Sequence, residues 1–153
     1  MSGPDEQDII QWQDALRWLD RAMDDIRAVR VLLRDGIAMQ AAFHLQQAIE
    51  KSLKALLVAA RQDVRKTHDL NTLADLARRH WPVLVAAPFP LSYVSRWYII
   101  SRYPGDDDIG PTAAEVQAAL PDVESLFSAV IDQAPAALAS EAETIRLEGQ
   151  VRA

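Results

Sequence analysis

The sequence predicts an all-α fold, an antiparallel up-and-down bundle of four to five helices with room for an extra C-terminal helix. Three observations carry this expectation. Apolar residues recur at steps of three and four along most of the chain, no segment sustains strand-type alternation, and only 5 glycines interrupt 153 residues. Steps of three and four line side chains along one helix face, and glycine is a poor helix former. Mostly short links between such helices make neighbours antiparallel. A chain of about 150 residues buries roughly 70% of its unfolded surface, enough for one proper core.

The first helix is expected from residue 5 or 8 to 34, with Trp12, Leu16, Leu19, Met23, Ile26 and Leu33 on one face. Asp5, Glu6 and Asp8 suit the positive end of its dipole, and Gly36 suits a left-handed stop. The second helix, residues 37–61, has the strongest period: Ala41, Leu45, Ala48, Ile49, Ser52, Leu53, Leu56, Leu57 and Ala60. The third spans residues 69–80, with Thr67 or Asp69 as its cap. Pro82, Pro88 and Pro90 exclude a regular helix over residues 81–90. A fourth helix is expected over residues 91–101, carrying Tyr93, Trp97 and Ile100, and is broken by Pro104, Gly105, Gly110 and Pro111. The fifth begins at Thr112, where Thr112-Ala113-Ala114-Glu115 forms a capping box. Val116, Leu120, Val123, Phe127, Val130 and Ala134 continue its stripe, and Pro121 inside it is expected to kink or split the helix. The bundle is expected over residues 1–134, leaving residues 135–153 as a tail or short helix.

Several function classes are excluded or disfavoured. The net charge of −6 argues against non-specific coating of nucleic acid. The lack of cysteine removes disulfides and thiolate metal sites. Apolar stretches such as residues 55–60 fall short of the roughly 20 residues that span a bilayer. The polar, acidic start MSGPDEQDII lacks the pattern of a secretory signal, so a cytoplasmic location is expected. His44, His68 and His80 have no ligand spacing, and Asp106, Asp107 and Asp108 read as a solvated acidic turn, so no metal is expected. There is no nucleophile elbow, Walker loop or dinucleotide fingerprint, and no cofactor is called for.

What remains is polar. Gln46, Gln47, Glu50, Lys51 and Lys54 follow the apolar stripe of the second helix, either as a plain surface Glu–Lys pair or as part of a site. Arg61, Arg65, Lys66, His68, Arg78, Arg79 and His80 form a basic cluster. Helix-end charges explain Arg61, Arg78 and Arg79; they explain His68 and Asp69, at a helix start, less well. Arg102 and Tyr103 end the fourth helix, where Arg102 caps carbonyls or grips a phosphate. Tyr93, Trp97 and Tyr98 suit a dimer interface or simple core packing equally.

The succession AAFHLQQAIEKSLKALLVAA, KTHDLNTLADLA, SRYPGDDD and TAAEVQAAL resembles the HEPN domain, the higher eukaryotes and prokaryotes nucleotide-binding domain, over residues 12–131. The resemblance implies a helical bundle that often forms homodimers. It also implies pairing with a minimal nucleotidyltransferase, frequently in toxin–antitoxin or defence systems. Several branches of the family are metal-independent ribonucleases with an Arg followed four to six residues later by a His. Here the window after Arg102 holds Asp106, Asp107 and Asp108, and that after Arg96 holds Ile100, Ser101 and Arg102. A carboxylate there repels phosphate instead of protonating a leaving oxygen. The expectation is a partner module binding a nucleotide, RNA or a nucleotidyltransferase. Arg102 and Tyr103 lead its phosphate-binding candidates, followed by His68, Lys51 and Lys54, with Gln47, Glu50 and Asp69 in support. The alternative is a ribonuclease with an altered site, in which Arg102 stabilises the phosphorane-like charge and His68 supplies acid–base chemistry.

Overall fold

Helix α1 (Glu6–Arg34) starts at Asp5, whose carboxylate accepts the Asp8 N–H at 2.7 Å. That bond, together with Arg61, holds the Asp5 carboxyl below the usual carboxylate range against the opposing cost of desolvation. The computed structural model describes residues 5–64, 66–104 and 110–150. After α1 come α2 (Ala38–Ala59), α3 (Leu70–Arg78), α4 (Trp97–Arg102), α5 (Ala113–Ile131) and α6 (Ala139–Glu148). Short 3-10 turns at Ser92–Arg96 and Ala136–Leu138 lead into α4 and α6. The protein is all-helical, as the sequence predicts, and none of the described helices is long and apolar enough to cross a membrane.

Both long helices stop in the same way. Gly36 takes φ +75°, its N–H bonds the Leu33 carbonyl, and the Ile37 N–H bonds that of Leu32. This is a Schellman closure, and it turns the chain back so that α1 and α2 pack antiparallel. Arg61 repeats the arrangement after α2 at φ +61°, with Arg61 N–H on Val58 and Gln62 N–H on Leu57. A non-glycine residue is uncommon there, and this left-handed φ at Arg61 is why α2 ends before the expected residue 61. The Arg61 guanidinium meets Asp5 at 3.0 Å and Asp8 at 2.7 Å, tying the end of α2 to the start of α1.

Helix α2 is the central element and packs against α1, α3, α4 and α5. Leu45, Ile49, Leu53, Leu56 and Leu57 are fully buried along it. Trp81 donates its indole N–H to the Leu56 carbonyl at 3.3 Å and meets Trp12 edge-on. Arg78 holds the proline-rich segment by donating to the Val85 and Ala86 carbonyls at 3.0 and 2.7 Å.

The fourth helix differs from the expectation of one regular element over residues 91–101. Leu91, Val94 and Trp97 are all buried, at steps of three. A 3-10 turn has three residues per turn and brings those positions onto one side, so tight winding precedes α4. Pro121 does not split α5, which runs unbroken through it. Its side chain faces solvent while Leu120 and Val123 on either side enter the core.

The capping box at Thr112 is present, with the Glu115 N–H bonded to Thr112 Oγ1 at 3.1 Å and the Thr112 N–H to Glu115 Oε1 at 3.3 Å. Thr112→Ala is expected to cost about 1 kcal/mol, a fall in Tm of roughly 2–4 °C by differential scanning calorimetry. An unchanged Tm would show that the box contributes nothing.

Helix α6 lies on α1 through buried Ala142 and Ile145. Arg30 secures the region, donating to Glu124 and to the Gly149 carbonyl, both at 2.6 Å. Burial, a hydrogen bond to Asp20, and the charges of Asp20 and Asp24 push the Glu148 carboxyl above its ordinary value, while Arg27 pulls it down. A carboxyl raised in the folded state favours folding while protonated. That contribution is complete below the unfolded value of 4.5 and is lost as pH rises through the folded value. Glu148→Gln is therefore expected to raise Tm at about pH 7 and leave it unchanged at about pH 4; equal Tm at both would remove the proposed repulsion.

Candidate functional site

Gln46, Glu50 and Lys54 are not surface residues: they are 0%, 3% and 6% exposed. They share one side of α2, which α1, the segment before α3, and α4 partly cover. Buried charges persist only when paired, and here two buried carboxylates organise the polar face.

The first is Glu50. It accepts from Lys54 Nζ at 3.0 Å, His68 Nδ1 at 2.9 Å and Gln46 Nε2 at 3.3 Å. Gln46 also donates to the His68 carbonyl at 3.1 Å and accepts from Gln47 at 2.7 Å. The Lys54 ammonium lies 5.7 Å from the centroid of the Trp18 ring. A carboxylate on Nδ1 calls for the proton there, which leaves Nε2 as the remaining polar atom of the half-exposed His68 ring.

The second is Asp25, contributed by α1. Its Oδ1 meets His44 Nδ1 at 2.8 Å and its Oδ2 accepts from Lys51 Nζ at 2.6 Å. The carboxylate is buried and both partners are part-exposed.

An aromatic ledge adjoins the first cluster. The His68 ring stacks on Tyr98 with centroids 4.0 Å apart and planes 14° from parallel. Arg102 Nη1 donates to the Tyr98 hydroxyl at 2.6 Å. Its guanidinium carbon lies 5.2, 6.0 and 5.7 Å from the ring centroids of Tyr98, Phe43 and Tyr103. One ring thus separates His68 from Arg102, and the cation rests on π faces that attract it. Among the described residues, no carboxylate pairs with Arg102.

The structure therefore gathers Arg102, Tyr103, His68, Glu50, Lys54 and Gln47, and puts Lys51 in the neighbouring Asp25 cluster. Asp69 stands outside contact: it caps α3 through the Asn71 N–H at 3.0 Å and fixes the backbone next to His68. Trp97, at 6% exposure, belongs to the core of its own chain and offers little to a partner. Tyr93 packs edge-on against Trp97, and burial, then the Asp122 charge, push its hydroxyl above the ordinary tyrosine range. Tyr98 sits between His68 and Arg102. Of the basic cluster, Arg61 and Arg78 bind their own chain, and Arg79 and His80 line a separate small cavity with Asp63. Arg65, Asp106, Asp107 and Asp108 lie outside the described residues. Sequence reasoning missed Phe43 and Asp25 and set His44 aside; the signal for His44 was its place two turns before Lys51 on α2. Among the described residues, no three His, Asp or Glu side chains are grouped to hold a metal.

The model of the HEPN domain matches residues 15–133. The chain belongs to the HEPN domain family. The HEPN match contains both carboxylate clusters and the ledge, and ends before α6. This HEPN chain is also similar to the crystal structure of TT1696 from Thermus thermophilus, at 31% identity and a TM-score of 0.62, over 77% of this chain and 96% of that one. No curated protein matches it significantly.

Proposed function

We propose that this HEPN domain is a binding module that holds a phosphate group of a nucleotide or RNA end on the Arg102–Tyr98–His68 ledge. The observation that carries the reading is the exposed Arg102 guanidinium stacked among three rings beside a carboxylate-held histidine. Arginine grips phosphate with a planar fork, and a base stacks on aromatic side chains independently of its sequence. On a chain of net charge −6, such a local cation is where an anionic ligand gains most. The module acts as a homodimer and pairs with a minimal nucleotidyltransferase, in keeping with the family. Ile99, 64% exposed, supplies apolar surface for self-association.

Calorimetric titration with adenosine 5′-monophosphate and with adenosine tests the reading. The monophosphate is expected to bind at least about tenfold tighter, the worth of one charge-assisted contact. Equal affinities, or none, would refute it. A ribonuclease reading is favoured by one feature, the His68–Glu50 bond at 2.9 Å one ring away from Arg102. RNA cleavage in EDTA that is lost in His68→Gln would establish that alternative in place of the binding module.

A further inference from the structure

The two buried carboxylates of the polar face are built alike. Each takes one lysine and one histidine: Glu50 holds Lys54 and His68, and Asp25 holds Lys51 and His44. A brace between α1 and α2 needs a single cation on Asp25. Two donors share that carboxylate instead, and both are more exposed than the carboxylate beneath them. Asp25 thus anchors His44 Nδ1 and Lys51 Nζ, and both side chains are partly exposed. The Lys51 ammonium carries two further N–H donors, and the His44 ring, in its doubly protonated form, offers an Nε2–H.

The second cluster is continuous with the ledge. The His44 ring meets Phe43 edge-on at 5.4 Å; Phe43 lies 6.1 Å from Tyr98 and 6.0 Å from the Arg102 guanidinium. Phe43 therefore neighbours both Arg102 and His44, and the carboxylate that holds His44 also holds Lys51.

Resting on the phosphate-binding reading above, we infer that His44 and Lys51, held by Asp25, form a second oxyanion subsite, so that the face takes a ligand bearing two separated phosphates. Asp25 positions this subsite from below and does not touch the ligand. The chemistry is shared by a nucleotide with two phosphate groups and by free condensed phosphate. Phe43, next to both Arg102 and His44, favours the nucleotide, because it offers a flat apolar surface to a base or sugar.

The test compares adenosine 3′,5′-bisphosphate, adenosine 5′-monophosphate and inorganic pyrophosphate by calorimetric titration of the full chain. The bisphosphate is expected to bind about tenfold tighter than the monophosphate, one further charge-assisted contact. His44→Gln and, separately, Lys51→Gln are expected to bring that ratio to within about twofold, with helical circular dichroism intact. Lys51→Arg, which keeps the charge, should preserve it. A wild-type ratio near one, or a ratio untouched in a folded Lys51→Gln or His44→Gln protein, overturns the second subsite and leaves the monophosphate site standing. Pyrophosphate binding as tightly as the bisphosphate overturns the nucleotide assignment. Failure of all three ligands to bind overturns both readings.

Discussion

Glu50→Ala is expected to destabilise the protein by about 3–5 kcal/mol, because it leaves the buried Lys54 ammonium without its counter-charge. That is a large share of the roughly 5–15 kcal/mol that typically holds a domain folded. The measurement is the shift in urea midpoint at constant slope. Glu50→Gln should cost less, since its amide oxygen still accepts from Lys54 or His68. Removing both charges, as Glu50→Leu with Lys54→Met, should be nearly neutral or stabilising, while releasing the His68 ring from its carboxylate. A loss below about 1 kcal/mol for Glu50→Ala would mean that water reaches Lys54, in conflict with its burial.

Arg102→Gln should weaken binding of adenosine 5′-monophosphate about 10- to 100-fold with little change in Tm, since the side chain is exposed and its loss opens no cavity. Arg102→Lys should recover only part of the affinity. A lysine keeps the charge but lacks the planar fork that stacks on Tyr98 and grips two phosphate oxygens. Unchanged affinity in Arg102→Gln would place the ligand elsewhere.

The helices were legible because burial imposes its own period. The stripes Trp12–Leu16–Leu19–Met23–Ile26 and Val116–Leu120–Val123–Phe127–Val130 are core faces in the structure, and Gly36 and Thr112 mark real boundaries by local chemistry. Three features were not legible for stated reasons. Arg61 closes α2 in a conformation that sequence normally assigns to glycine or asparagine. Leu91, Val94 and Trp97 at steps of three fit an α-helix almost as well as the 3-10 turn that forms. Pro121 is tolerated because it faces solvent, which requires knowing the packing.

The site was half legible. Gln46, Gln47, Glu50, Lys51 and Lys54 stand out as polar residues on a strongly apolar helix, but their spacing equally describes a solvated face. Only the fold brings Asp25 from α1 and His68 from the segment before α3 onto that face, and so turns surface pairs into buried ones. Tyr98 shows the same limit. As an aromatic on a short helix it suits an interface; Arg102 is one helical turn away, but the stacking on His68 joins residues 30 apart in the chain.

Whether Arg102, Tyr98 and His68 together receive a phosphate is decided by side-chain NMR during titration with adenosine 5′-monophosphate. Saturable shifts of the His68 imidazole and Arg102 guanidinium signals are expected with one common Kd, and none at His80, which lines a separate cavity. Saturable shifts at His80 with His68 and Arg102 unmoved would contradict a phosphate site on the ledge.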